Sequence, residues 1–270
     1  MQESIKPILK WAGGKRQLLP HLNKIIPKKF KNYIEPFIGG GAFFFNLNLK
    51  NSIIADTNWE LINLYSEIAK NPKQIIKKLK EFKNTKDFFY KIRKQNPSSN
   101  LDRACRTIYL NKTCFNGLYR VNKNGDFNVP FAGNKNTSFV DEENLYRAST
   151  LLKKTKILNL SYDLVLKKYT KKNDLIFLDP PYLPISKYSD FKRYTREQFY
   201  FEDHIKLAKL FNELHNKGCK LILTNSNSPK VIKLYKNFNI LEVKTKRNIN
   251  SKGNKRFGSD LIITNYEASF

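Results

Sequence analysis

Tyr33-Ile34-Glu35-Pro36-Phe37-Ile38-Gly39-Gly40-Gly41 decides how the rest of this 270-residue sequence is read. Residues 33–37 have the pattern of a short strand, the three glycines that of a tight turn, and residues 42–49 that of an apolar helix. Strand, glycine turn and helix make the opening half of a nucleotide-binding unit, in which glycine lets the backbone come close to a ligand. The next apolar run, Ser52-Ile53-Ile54-Ala55-Asp56, reads as a second strand ending in an acid. That acid lies about 15 to 20 residues beyond the glycines, where an acceptor for ribose hydroxyls is expected. Phe44 stands where a GxGxxG fingerprint counted from Gly39 has its third glycine, which weakens the case for a nicotinamide dinucleotide against other adenosine cofactors.

Working outward, strands are expected at 156–160, 175–178, 220–224, 239–246 and 260–266, and helices at 16–26, at 139–154 and in a long segment ending at Asn216 before Gly218. Residues 183–194 read as a loop, and Thr195-Arg196-Glu197-Gln198 fits a helix capping box. The alternation is broken between 58 and 138. There Leu61, Leu64, Tyr65 and Ile68 share a helical face, residues 73–83 form a lysine-rich solvated stretch, residues 101–112 read as helix, and Asn124-Gly125 signals a hairpin. The expected architecture is α/β: a doubly wound, mostly parallel sheet built from residues 1–57 and 139–270. Residues 58–138 are an inserted, mainly helical domain carrying a β-hairpin.

Leu175-Ile176-Phe177-Leu178 is fully apolar, as suits a parallel strand covered on both faces, and it stops at Asp179-Pro180-Pro181-Tyr182. Two prolines forbid further ladder bonding and remove two backbone donors. A ligand entering this tip meets a carboxylate and bare carbonyls, an edge suited to a group that carries N–H bonds. Asp179, the glycine turn, Asp56 and the pair Ser161-Tyr162 all fall at carboxyl ends of expected strands, where ligands of such sheets bind.

Lys and Arg number 50 against 23 Asp and Glu, a formal net charge of +27 that favours a polyanionic partner. Basic, amide and aromatic residues crowd 115–131, a mixture suited to base edges, stacking and phosphates. Arg247, Lys252, Lys255 and Arg256 lie in a Gly, Ser and Asn-rich loop that could clamp phosphates. Cys105, Cys114 and Cys219 form no CxxC pair, so neither a metal site nor a disulfide framework is indicated. Met1-Gln2-Glu3-Ser4 is unlike a signal peptide and no apolar run reaches membrane-spanning length, so the expectation is a soluble cytoplasmic protein without membrane, metal or obligate protein partner.

Phe37-Ile38-Gly39-Gly40-Gly41 resembles the FxGxG motif of S-adenosylmethionine-dependent amino-methyltransferases, and Asp179-Pro180-Pro181-Tyr182 resembles their DPPY motif. With Lys10-Trp11-Ala12-Gly13-Gly14-Lys15, Asn116-Gly117-Leu118, Arg120 and Phe127-Asn128-Val129-Pro130-Phe131, the order of motifs is similar to the Dam family of DNA adenine methyltransferases, from about residue 8 to 266. The resemblance implies a Rossmann-like methyltransferase fold, S-adenosylmethionine as cofactor, double-stranded DNA as partner, GATC as target, and a bacterial or phage-like, nucleoid-associated setting. It further implies cofactor contacts from Trp11, Lys15, Phe37, Gly39, Gly41, Asp56, Ser161, Tyr162 and Asp179. Asp179 and the Pro180 carbonyl would accept the amine of a flipped adenine and Tyr182 would stack on it. Asn116, Leu118, Arg120 and Pro130 would read bases, with Phe115 inserting into the stack. The sequence departs from the Dam pattern after Pro130, where Phe131-Ala132-Gly133-Asn134-Lys135 carries an extra residue and no arginine. Methylation of the cytosine amine, a catalytically silent nucleic-acid-binding protein and a dehydrogenase stay open as alternatives, with Asp rather than Ser at position 179 favouring adenine by resemblance.

Overall fold

The computed structural model describes residues 5–11, 13–122, 124–134, 137–184, 199–246 and 257–268. They fall into two compact units, one made from the described residues of 5–14 and 38–160, the other from those of 15–37, 161–184 and 199–268. Each unit contributes its own strands, and those of the second unit form a mixed sheet.

The first unit holds β2 (Ile53–Ala55) paired in parallel with β3 (Lys156–Leu158), Ile54 opposite Ile157. Helix α2 (Ala42–Leu47) follows the glycine turn, and four helices succeed β2: α3 (Trp59–Lys70), α4 (Pro72–Lys80), α5 (Lys86–Lys94) and α6 (Asn100–Thr113). Their limits follow from local chemistry. The Asn58 side chain accepts the Glu60 N–H at 3.0 Å to start α3. Pro72 opens α4 and disfavours helical backbone in the residue before it, which separates the two. Ser99 caps α6 by accepting the Asp102 N–H at 3.1 Å. Helix α6 is buried through most of its length because α3, α4 and α5 all pack on it, and its Arg103 pairs with Glu60 of α3. Tyr109 of α6 receives the edges of Phe82, Phe88 and Phe139 and donates its hydroxyl to the Lys83 carbonyl at 2.8 Å. Helix α7 (Glu142–Leu152), capped by Asp141, returns the chain to β3.

At Asn124-Gly125 the chain does turn back, but the hairpin is reduced to one bridge between Val121 and Phe127. Its turn is held by the Asn122 side chain, which accepts the N–H groups of Asn124 and Asp126, each at 2.9 Å.

The second unit contains β1 (Tyr33–Glu35), β4 (Leu175–Leu178), β5 (Lys220–Ser226), β6 (Asn239–Lys246) and β7 (Phe257–Thr264). Strands β1, β4 and β5 run parallel, whereas β7 is antiparallel to both β5 and β6. The mostly parallel sheet thus acquires an antiparallel edge. All four residues of β4 are buried, as its uninterrupted apolar run requires. The helix expected over 16–26 is a 3₁₀ turn, Lys15–Gln17, followed by α1 (Leu19–Lys24) with Pro20 in its first turn. Residues 156–160 pair as far as Leu158, and Tyr162 is no strand end but the first residue of α8 (Tyr162–Tyr169). Helix α10 (Pro229–Leu234) is absent from the sequence reading. The long helix α9 spans Phe201–Asn216, and its Asp203 side chain accepts the Tyr200 N–H at 3.0 Å. Thr195–Gln198, most of the 183–194 loop and the basic cluster of Arg247, Lys252, Lys255 and Arg256 lie outside the described residues.

The three cysteines are buried and free, with burial pushing the thiols of Cys105 and Cys114 up to about 12 and that of Cys219 to about 11. No helix among the described residues is long and apolar enough to cross a membrane.

Ile176 has no exposed surface, so Ile176→Ala is expected to lower unfolding free energy by about 2–5 kcal/mol in chemical denaturation. Leu164→Ala, at a residue 51% exposed, should change it by no more than about 0.5 kcal/mol.

Candidate active site and base-reading loop

In the second unit, β4 delivers Asp179-Pro180-Pro181-Tyr182, and the polar end of β5 holds this tip at both ends. The Thr224 hydroxyl donates to Asp179 Oδ1 at 2.7 Å. In the next two residues, the Asn225 side chain accepts the Leu183 N–H at 3.1 Å and the Ser226 hydroxyl donates to the Leu183 carbonyl at 2.7 Å. Thr224, Asn225 and Ser226 are all buried. Lys15 completes the arrangement: its Nζ lies 2.7 Å from Asp179 Oδ2 and 4.7 Å from the centre of the Tyr182 ring. Burial raises the Asp179 carboxyl above its ordinary range, while the Lys15 ammonium and the Thr224 hydroxyl pull in the opposite direction. The Lys15 side chain is 6% exposed, so this is a largely desolvated ion pair whose partners depend on each other.

Also in this unit, Phe37 and Tyr162 stack with ring centres 5.0 Å apart. Phe199 meets both rings at steep angles, at 6.0 Å and 5.9 Å. Ser161 donates its hydroxyl to Asp163 Oδ1 at 2.5 Å within the first turn of α8.

In the first unit, the glycine turn is packed against Trp11. Gly39 has φ +45°, and a Cβ there would lie 2.9 Å from Trp11 Cδ1. Gly41, with φ +66°, precedes α2 and donates its N–H to the Ile38 carbonyl at 2.7 Å. The Asp56 carboxylate follows β2 and ties the turn down: Oδ2 accepts the Gly39 N–H at 3.1 Å and Oδ1 the Asn58 N–H at 2.9 Å. Burial raises the Asp56 carboxyl above its ordinary range, and the N–H groups of Asn58, Gly39 and Thr57 oppose that rise. The Tyr65 hydroxyl donates to the Gly39 carbonyl at 2.7 Å, so the turn is braced from α3 as well.

The residues expected to read bases share this unit. Phe115, at 53% exposure, faces solvent with Asn116, Arg120 and Pro130, while Leu118 is half-buried. The Phe115 N–H donates to the Pro130 carbonyl at 2.9 Å, which joins the two segments. Asn116 is held in left-handed backbone, φ +54°, and Gly117 follows with φ +63°. A Cβ at Gly117 would run into the Lys10 side chain. Asn111 accepts the Lys10 N–H at 2.9 Å and donates to the carbonyls of Lys10 and Gly117 at 2.8 Å and 3.0 Å. Tyr119, buried between Leu118 and Arg120, stacks on Trp11 with ring centres 5.0 Å apart. Arg120 Nε donates to Asn128 Oδ1 at 2.8 Å, which orients its guanidinium.

A glycine turn after β1, a carboxylate after β2 and an acceptor-rich tip after β4 belong to the class of α/β proteins that hold an adenosine cofactor at strand ends. The chain belongs to the D12 class of N6 adenine-specific DNA methyltransferases, whose family model matches residues 11–249. It is 39% identical over 273 residues to the type II methyltransferase M1.LlaDCHI of Lactococcus lactis subsp. cremoris, covering 97% of this chain and 96% of that protein. It is 41% identical over 288 residues to the type II methyltransferase M.MjaIII of Methanocaldococcus jannaschii, covering 97% and 99%. With the DNA adenine methylase of Escherichia coli K12 it shares 30% over 268 residues, covering 97% and 95%. The chain is thus an enzyme that methylates the N6 amine of adenine in DNA, with S-adenosylmethionine as methyl donor. Membership of this class decides against the cytosine, silent-binder and dehydrogenase alternatives. The donor set suits that cofactor: side chains at 39 and 40 would collide with Trp11, leaving bare backbone on the turn, and Asp56 adds a carboxylate beside it.

Thr224, Asn225, Ser226, Phe199 and Tyr119 were not among the residues expected from sequence. For the first three a signal exists, a run of polar residues closing an apolar strand. Gly39→Ala combines a left-handed backbone with a collision against Trp11, and is expected to cost about 1–3 kcal/mol of stability in denaturation followed by tryptophan fluorescence.

Proposed function

We propose that this enzyme methylates adenine within GATC of double-stranded DNA. The observation that carries this reading is the pinned loop on which Phe115, Asn116, Arg120 and Pro130 face solvent. A guanidinium oriented by Asn128 suits a bidentate contact to guanine O6 and N7 in the major groove. Asn116, Leu118 and Pro130 read the neighbouring bases, and Phe115 enters the stack where the target leaves it. In this reading residues 58–138 form the target-recognition domain, and 1–57 with 139–270 form the catalytic domain. The net charge of +27 supports phosphate contacts around the site.

S-adenosylmethionine supplies an electrophilic methyl group. Gly39 and Gly41 would offer the backbone against which it is held, Asp56 would accept from its ribose hydroxyls, and Trp11, Lys15, Phe37, Ser161, Tyr162 and Asp179 would complete the binding set. The target amine is buried in duplex DNA, so the base rotates out before reaction. Tyr182 stacks on the flipped ring. Asp179 and the Pro180 carbonyl accept the two amine N–H bonds, which localises a lone pair otherwise delocalised into the ring. Holding that amine in one orientation would contribute through positioning and preorganised electrostatics.

Incubation with labelled S-adenosylmethionine and duplexes carrying GATC or a scrambled site should label only the first, with N6-methyladenine as the modified nucleoside by mass analysis. Equal labelling of both sinks the GATC assignment. Asp179→Ala is expected to abolish transfer while retaining DNA binding in a mobility-shift assay. For Arg120→Ala, kcat/KM ratios between GATC and single-substitution duplexes should show about 1–3 kcal/mol less discrimination at one guanine.

A further inference from the structure

The two oxygens of the Asp179 carboxylate have partners of different kinds. Oδ1 accepts from Thr224 at 2.7 Å, and Thr224 has no exposed surface. It lies in β5, which pairs with β4 through Leu223 opposite Leu178 and with β7 through Thr224 opposite Ile262. A hydroxyl on a strand paired along both edges has no freedom to leave. Oδ2 faces Lys15 Nζ at 2.7 Å, at the end of a four-carbon chain rising from a short 3₁₀ turn. The same ammonium lies 4.7 Å from the Tyr182 ring centre, so it occupies both contacts that the proposed function assigns to the adenine, an Asp179 oxygen and the tyrosine face. An incoming amine would take the place at Oδ2 that this ammonium holds.

We propose that Thr224 is a positioning residue: it anchors Asp179 through Oδ1 and so dedicates Oδ2 to the amine of the target base. This rests on the reading that Asp179 receives that amine, and goes beyond it by assigning each oxygen and naming the residue that enforces the assignment. Two titratable groups bear on the carboxylate. Lys15 carries the opposing charge, and Tyr33 on β1 stays a neutral phenol, held well above its ordinary range by burial and by Glu35, to which it donates at 2.5 Å. Because the Thr224 hydrogen bond favours the ionised carboxyl, its removal moves Asp179 to a higher pKa.

The test uses Thr224→Val, which keeps the shape and loses the donor, and Thr224→Ser, which keeps the donor and loses a methyl group. Thr224→Val is expected to lower kcat roughly ten- to a hundredfold with KM for DNA and cofactor little changed, the size expected of a misplaced catalytic group. The acid limb of its kcat–pH profile should move to higher pH. Thr224→Ser should restore both. Carbon-13 titration of the Asp179 carboxyl in the cofactor-free protein, independent of activity, should give a higher midpoint in Thr224→Val and a wild-type midpoint in Thr224→Ser. A folded Thr224→Val with wild-type kcat and an unmoved midpoint overturns the proposal, and so does a Thr224→Ser impaired as severely as Thr224→Val. If the wild type transfers no methyl to any duplex, the proposed function fails, and the titration alone still decides whether Thr224 holds Asp179.

Discussion

A carboxylate at the end of a strand with no exposed residue is the constraint on which the second unit depends. Water stabilises an ionised acid by several kcal/mol, and a buried one has to recover that from neighbouring groups. Asp179 recovers it from one ammonium and one hydroxyl, each at 2.7 Å. Its backbone neighbours on the far side are prolines, so no peptide N–H of Pro180 or Pro181 can neutralise it. The acceptor character of the tip follows directly: among the described residues, the donors to its carboxylate come from Lys15 and Thr224, supplied elsewhere in the unit. Strands β4 and β5 have to lie in register for this to work, because a slip of one residue would turn Thr224 to the opposite face of the sheet.

The first unit solves a different problem, that of holding exposed residues still. Loops that face solvent cost conformational entropy to order, and residues proposed to read base edges bind more tightly if ordered before contact. Here the ordering is done from beneath. Asn111 fixes Gly117, Pro130 fixes Phe115, Asn128 fixes Arg120 and Trp11 fixes Tyr119. Trp11 also backs the glycine turn, so one indole forms a wall for both the turn and the segment that carries Tyr119.

Much of this was legible in the sequence wherever a signal is local. The apolar run 175–178, the glycine turn and the acid closing β2 are all decided within a few residues. Ser161 and Tyr162 read as a strand end because the alternation Leu158-Asn159-Leu160 continues past the last ladder pair, and nothing local tells a strand end from a loop leading into α8. The role of Thr224 was hidden for another reason. It is 45 positions from Asp179, and a polar residue on an apolar strand acquires meaning only once its neighbour strand is known. Lys15 was assigned to the cofactor, and its contact with Asp179 and Tyr182 came from the fold alone.

The anchoring of Lys10 by Asn111 bears on how the chain can assemble during synthesis. The pair is separated by 101 residues, and one side-chain amide serves both the N–H and the carbonyl of Lys10. A nascent chain emerges amino terminus first, at roughly 5–20 residues per second. The segment that carries Trp11 therefore leaves the ribosome several seconds before its anchor exists, on the order of 5–20 s at that rate. Until α6 has been made, this opening segment has no seat, and the glycine turn it backs lacks its wall. The seat of Lys10 and Trp11 is thus completed only by a residue made well after them.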